Sequence, residues 1–312
     1  MSCGKSQLIG RRVEIIVLSV FGDESADETK QRVFAVAALI GSEEAWSALV
    51  KTWHERTGGK EFHATECETE YADDPDLGKH KHNLLLYADL TQLIVSSELH
   101  GVGVALDLAS QRESFPDMAE DFGYYHCFMH VVSNLVEEAE LLNDESGIRD
   151  NVTFTFDHRQ QSEYNSGVLY DWMVNSVEWK HHNVFMDTKI SFESRKNQRI
   201  QAADLFARET MKHLDNMVAP KRRPVRRSME ALMACGDRFR FFLFDREWEV
   251  QRRRLADGLD RLQQFLGLPD PDEGHIPYGT WLQDNRLHDN MSNRFRFLAW
   301  QDSSSLRRHK RT

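Results

Sequence analysis

The sequence predicts an α/β protein: one main mixed β-sheet flanked by helices, followed by a basic, mainly helical C-terminal extension. Three observations lead there. Val13–Phe21 is a nine-residue, almost unbroken apolar run rich in Val, Ile and Leu, which suits a buried strand better than a helix. Similar short runs alternate with longer helical patterns in the order β-β-α-β-α-β-α-β-α, the pattern of a single sheet covered by helices. Ala219–Arg227 then breaks the alternation with two prolines and five basic residues, and places a boundary between domains 1–218 and 219–312.

The elements follow in order. After the first strand, Gly22-Asp23-Glu24-Ser25 reads as its end, because Gly, Asp and Ser are ordinary turn formers. Gln31–Ile40 is a second strand. Glu43–Glu55 is an amphipathic helix with Ser42 as its N-cap, and Gly58-Gly59 stops it. The segment from Lys60 to Glu66 is read as extended, and Tyr71–Gly78, rich in Asp and Pro, as a loop. Asn83–Glu98 is a helix, His100–Leu108 a strand and Phe122–Leu142 a long helix. Val152–Phe156 alternates β-branched and aromatic residues and runs into Asp157. Glu163–Lys180 follows as a helix, Lys189–Glu193 as a short strand, and Gln198–Leu214 as a helix with Ala202, Ala203, Leu205, Phe206 and Met211 on its apolar side. In the extension, Phe244–Leu266 reads as a helix, Leu268–Tyr278 as a loop and Leu306–Thr312 as a basic tail.

Composition narrows the function classes. An apolar share of 40% with 29% charged residues describes a globular chain rather than a disordered one. The four cysteines lack any C-x-x-C pair, so neither a zinc ribbon nor a disulfide framework is expected. Val13–Phe21 is too short to span a bilayer and lacks a signal-peptide cleavage site, so no membrane association and a cytoplasmic location are expected. The net charge of −11 is unevenly spread. Residues 1–218 carry 20 basic against 37 acidic side chains, and residues 219–312 carry 19 against 13. An acidic body suits cation binding, and a basic final third suits contact with a polyanion.

Four acids occupy comparable places: Asp23 after the first strand, Glu61 or Glu66 in KEFHATE, Asp157 after VTFTF, and Asp204 inside a helix. Strand ends along one edge of an α/β sheet form a crevice where ligands bind. Oxygen-only donors there suit Mg²⁺ or Mn²⁺, and two such ions clamp a phosphodiester during hydrolysis. Asp204 stands out because it interrupts the apolar run of IQAADLFA, with a surface i,i+4 pair to Arg208 as the less favoured alternative. In an extended segment His63 would share a face with Glu61, which makes it a candidate for proton transfer near the metals.

The motifs GDES, EFHATE, FDHRQ and ESRKNQRIQAADLFA, in that order over roughly residues 14–214, resemble domain-of-unknown-function family 3800. The residues that carry the likeness are Asp23, Glu24, Ser25, Glu61, His63, Asp157, Ser194, Gln201, Ala203 and Asp204. The resemblance implies a ribonuclease H-like fold and a metal-dependent bacterial nuclease. By it, Asp23, Glu61, Asp157 and Asp204 form the acidic metal cluster for two Mg²⁺ or Mn²⁺ ions, with Glu66 or Glu68 as substitutes for Glu61. The basic segment lies outside these motifs. Its charge makes Lys221, Arg222, Arg223, Arg226, Arg227, Arg252, Arg253 and Arg254 candidates for binding nucleic-acid phosphates.

Other constellations are weaker. His126 and His130 share a helical face at i,i+4 but lack the Glu of H-E-x-x-H and sit among Tyr124, Tyr125, Phe128 and Met129, so they read as packing residues. His80, His82, His181 and His182 lie in polar surroundings and read as solvated. Ser25 has no nucleophile elbow, no P-loop occurs, and Gly101-x-Gly103 precedes no phosphate-binding helix. The rival to a nuclease is a catalytically silent module of the same fold that binds nucleic acid or a protein partner, with homo-oligomers also open.

Overall fold

The computed structural model describes residues 17–27, 29, 31–69, 77–116, 122–146, 152–158, 160–175, 189–218, 220 and 222–254. The first strand, β1 (Leu18–Ala26), extends five residues past the expected end at Phe21, so GDES lies inside a strand and not in a turn. The cause is pairing: β2 (Val33–Ser42) runs antiparallel to it with Ala26 opposite Phe34, which keeps the motif extended. The reversal comes later and is organised by Asp27, whose Oδ1 accepts from the backbone N–H groups of Gln31, Arg32 and Val33.

Ser42 Oγ accepts from Ala45 N–H and caps α1 (Glu43–Thr57), as its position in the sequence predicts. Gly58, at φ 63°, ends that helix in the left-handed region that favours glycine. The KEFHATE segment is irregular only to His63 and then forms the short helix α2 (Ala64–Thr69). Next come α3 (Leu77–Ser96), β3 (His100–Asp107), the unanticipated α4 (Leu108–Ser114), α5 (Phe122–Ser146), β4 (Val152–Asp157), α6 (Gln160–Asn175) and β5 (Ser191–Glu193). The long helix α7 (Gln198–Met217) follows, capped by Asn197, then α8 (Arg227–Met233) and β6 (Phe239–Phe244). Residues 246–254 are helical.

The sheet order is β5-β4-β1-β2-β3-β6. β2 is antiparallel to both β1 and β3, whereas β4 pairs parallel with β1, β5 with β4, and β6 with β3. The C-terminal ends of β1, β3, β4, β5 and β6 therefore share one edge. β6 comes from beyond residue 218 and bonds directly to β3, so the basic segment returns to the sheet before residue 254. Its sequence, FRFFLF, ends at Phe244, where the sequence reading began a helix. A short aromatic run suits either element, and pairing with β3 decides it. The rest of the expected extension, 255–312, lies outside the described residues, as do 70–76 of the Asp/Pro-rich loop.

Two cores sandwich the sheet. On one face Val20, Val36, Val104 and Phe154 pack with Phe128, Val132 and Leu135 of α5 and Tyr170 of α6. On the other, Phe21, Ala37 and Leu39 meet Trp46 and Trp53 of α1, Leu90 of α3 and Leu205 and Phe206 of α7. Small residues let α7 lie close to this second face. A Cβ on Gly103 would stand 2.3 Å from Thr210 Oγ1, and one on Gly101 would stand 2.9 Å from Phe206 Cζ. These two glycines, a fragment without phosphate-binding context in the sequence, are the seat of the helix. No helix among the described residues is long and apolar enough to cross a membrane.

Candidate carboxylate site

Strand alternation decides which acids can meet. Val20 faces the α5 core and Phe21 the α7 core, so Asp23, two residues beyond Phe21, points toward α7. In β4, Phe154 and Phe156 face α5, which sends Asp157 to the same side as Asp23. Gly22 pairs with Phe156, so the two aspartates lie one step further along neighbouring parallel strands, about 4.8 Å apart in the pairing direction. Asp204 comes from α7, the helix that covers this face. Asp23 is 2% exposed and Asp204 3%, so both carboxylates sit where charge is costly unless compensated.

The polar surroundings of Asp204 are specific. Its Oδ2 accepts from the backbone N–H of Ala64 at 2.8 Å, at the start of α2. Burial raises its proton affinity above the ordinary aspartate value, while His63, the Ala64 N–H, Arg195 and Arg208 pull the other way. Arg208 does not form the i,i+4 pair with Asp204 that the sequence allows. Instead its Nε donates to Glu68 Oε2 at 2.9 Å and its Nη2 lies 2.8 Å from the same oxygen. Residues 64 and 68 of α2 are thus fastened to residues 204 and 208 of α7, at matching four-residue spacing. Asp23 Oδ1 accepts from Glu24 N–H at 2.6 Å.

The candidates for the fourth acid separate clearly. Glu61 is exposed and makes no hydrogen bond or ion pair with the described residues. Glu66 is exposed, with Oε1 3.1 Å from His63 Nδ1, an ion-pair distance. Glu68 is held by Arg208 and Arg226, which outweigh its burial and keep its carboxyl below the usual glutamate value. Glu68 is therefore a structural anchor.

Arg195 is the site residue that sequence reasoning missed. It sits in the turn between β5 and α7, with Nε 3.5 Å from Asp157 Oδ2. Its place within the ESRKNQ motif was the available signal. As the side chains stand, no three His, Cys, Asp or Glu among the described residues come together closely enough to hold a metal ion. Carboxylate oxygens are hard donors, the kind that Mg²⁺ and Mn²⁺ take.

The basic residues divide into inward and outward sets. Arg226 pairs with Glu68 and Glu209, lies over the Tyr87 ring, and belongs to a buried network in which Tyr87 Oη donates to Glu209 at 2.7 Å. Arg252 pairs with Glu249 and stacks on Phe115 at 4.1 Å, with Arg253 over the same ring at 5.6 Å. Arg222, Arg223 and Arg254 line a cavity of about 750 Å³ together with Arg246, Asp245 and Glu247. Arg223 also pairs with Asp215. Arg227 borders a second cavity, of about 450 Å³, beside Tyr87 and Ser228, and Lys221 lies outside the described residues.

The histidine pair is structural. The rings of His126 and His130 are 4.6 Å apart, and His126 packs against Phe244 and Trp248. Burial, then His130 and Arg252, lowers the His126 pKa to about 3. His82 and the backbone of His80 belong to α3, and His181 and His182 lie outside the described residues. No protein-family model matches the chain, and no curated protein matches it.

Proposed function

We propose that the protein is a divalent-metal-dependent nuclease with a ribonuclease H-like core, related to domain-of-unknown-function family 3800, that hydrolyses phosphodiester bonds in nucleic acid. The observation that carries this reading is the placement of Asp23, Asp157 and Asp204. Two neighbouring parallel strands and one covering helix bring them to one face at the edge where strand ends meet. Three antiparallel strands continued by the parallel β4 and β5, with helices on both faces, support the ribonuclease H-like assignment.

Asp23, Asp157 and Asp204 would hold the ions, with exposed Glu61 or Glu66 completing the set from the adjoining segment. Bound there, Mg²⁺ or Mn²⁺ would supply Lewis acidity toward the phosphate and an activated water. The chain itself contributes placement: Ala64 N–H fixes one oxygen of Asp204, and the Glu68–Arg208 contact keeps α2, and with it His63, beside that carboxylate. His63 is the acid–base group closest to hand, its Nδ1 facing Glu66. The arginine-lined cavity follows β6, whose C-terminal end lies on the same edge as Asp157. Four strand spacings separate β4 from β6, roughly 19 Å at about 4.8 Å each, the length of five to six base pairs.

The test is cleavage of single- and double-stranded DNA, RNA and hybrid substrates with Mn²⁺. Asp23→Asn and Asp204→Asn are expected to lose at least about a hundredfold in rate, near 3 kcal/mol of transition-state stabilisation, while staying folded. Undiminished cleavage by both variants, or none by the wild type on any substrate, refutes the assignment. A non-catalytic binding module is favoured by one observation, the Arg195 guanidinium already beside Asp157. Thermal melting separates the two, because an ion that binds the folded state raises the melting temperature by mass action.

A further inference from the structure

We propose that Arg195 is the resident counter-cation of the carboxylate site and competes with a divalent ion for the space beside Asp157. The inference rests on the reading that these carboxylates hold an ion, and it adds a metal-free state to that reading. Two carboxylates from adjacent strands and a third from the covering helix repel one another when no cation is present. Arg195 supplies that charge from within the chain. Its Nε is 3.5 Å from Asp157 Oδ2.

The residue is built to stay at its post while its side chain can leave. Its backbone is fixed by buried partners: the Arg195 carbonyl accepts from Gln201 Nε2 at 2.8 Å, and Gln201 Oε1 accepts from Trp53 Nε1 at 3.0 Å. Ser194 O accepts from Asn197 N–H at 3.0 Å and tightens the turn. The side chain is held more loosely. Its contact with Asp157 is longer than a hydrogen bond, and 29% of it is exposed. Arg208, the arginine of α7 one turn from Asp204, is buried and tied to Glu68, so it is not free to yield. Among the described residues Arg195 is thus the arginine at this site with a route to solvent.

The experiment compares wild type, Arg195→Gln, Arg195→Ala and Arg195→Gln/Asp157→Asn in two arms. Calorimetric titration with MnCl₂ at fixed ionic strength should show both single variants binding at least about tenfold more tightly than wild type, since a like charge has left the site. Melting in EDTA should show both single variants less stable than wild type, with the double variant recovering most of the loss because the charge that needed a partner is gone. Equal or weaker Mn²⁺ binding by the single variants overturns the competition and leaves the metal reading intact. Absence of Mn²⁺ binding by every variant overturns the metal reading and the competition with it. An EDTA melting temperature unmoved by the single variants overturns the counter-cation role whatever the metal does.

Discussion

Replacing Gly103 with alanine tests how closely α7 must lie on the sheet for the site to exist. The new Cβ would sit 2.3 Å from Thr210 Oγ1 and 2.8 Å from Thr210 Cγ2. Thr210 is fully buried and β-branched, so rotating χ1 still leaves one γ atom toward the new Cβ and gives up the Oγ1 hydrogen bond to Phe206 O. Ordinary contact requires the helix and strand to separate by roughly 1 Å. Overpacking of this kind costs about 1–3 kcal/mol, and exchanging glycine for alanine in a strand returns about 0.5–1 kcal/mol. The net expectation is a loss of about 0–2.5 kcal/mol, centred near 1 kcal/mol, read from urea unfolding midpoints at constant slope. Asp204 rides on the same helix, so Mn²⁺ affinity should fall with it. Thr210→Ala in the Gly103→Ala background should restore stability, giving a favourable coupling of about 1 kcal/mol in a double-mutant cycle. Wild-type stability in Gly103→Ala, or no rescue by Thr210→Ala, refutes the close-packing argument.

Two other expectations concern buried charge. His126 titrates near 3 in the folded protein against 6.5 for the free side chain, so below about pH 6.5 the unfolded chain takes up the proton first. Its contribution is complete above that pH and is lost as pH falls toward 3, by about 2 kcal/mol between pH 7 and pH 5. The stability difference between wild type and His126→Phe should move by about that amount in denaturant titrations at the two pH values, and a constant difference would contradict the buried neutral imidazole. Glu68→Gln removes the carboxylate from buried Arg208 and from Arg226, and is expected to cost about 3 kcal/mol of unfolding free energy. A loss below 1 kcal/mol in calorimetry would mean that α2 is not anchored through Glu68.

The sequence carried the local chemistry well. The Ser42 cap, the Gly58 stop and the apolar face of α7 each depend on residues a few positions apart, and each formed where predicted. What it could not carry was partner choice between distant segments. GDES looks like a strand end until β2 pairs with it through Ala26, and Phe244, the last residue of FRFFLF, looks like a helix start until β3 accepts that run as an edge strand. The same distinction runs through the site. Strand alternation puts Asp23 and Asp157 on the face that α7 covers, and Asp204 lies on α7, because alternation and helix covering are regular. Glu68 and Arg226, plausible ligands by position, are consumed by ion pairs that only the folded chain reveals.

The covering of the sheet by α7 also sets an order of events during synthesis. β3 ends at Asp107 and α7 begins at Gln198, so the small-residue face around Ala37, Gly101 and Gly103 leaves the ribosome well before its cover. At about 5–20 residues per second that interval is roughly 5–20 s. Through it the nascent chain presents an apolar face covered only in part, by α1 and α3, the kind of exposed surface that makes chaperones necessary. A product truncated before Gln198 would keep Asp23, Asp157 and Arg195 but lack Asp204, so the carboxylate set is complete only after about two thirds of the chain has been made.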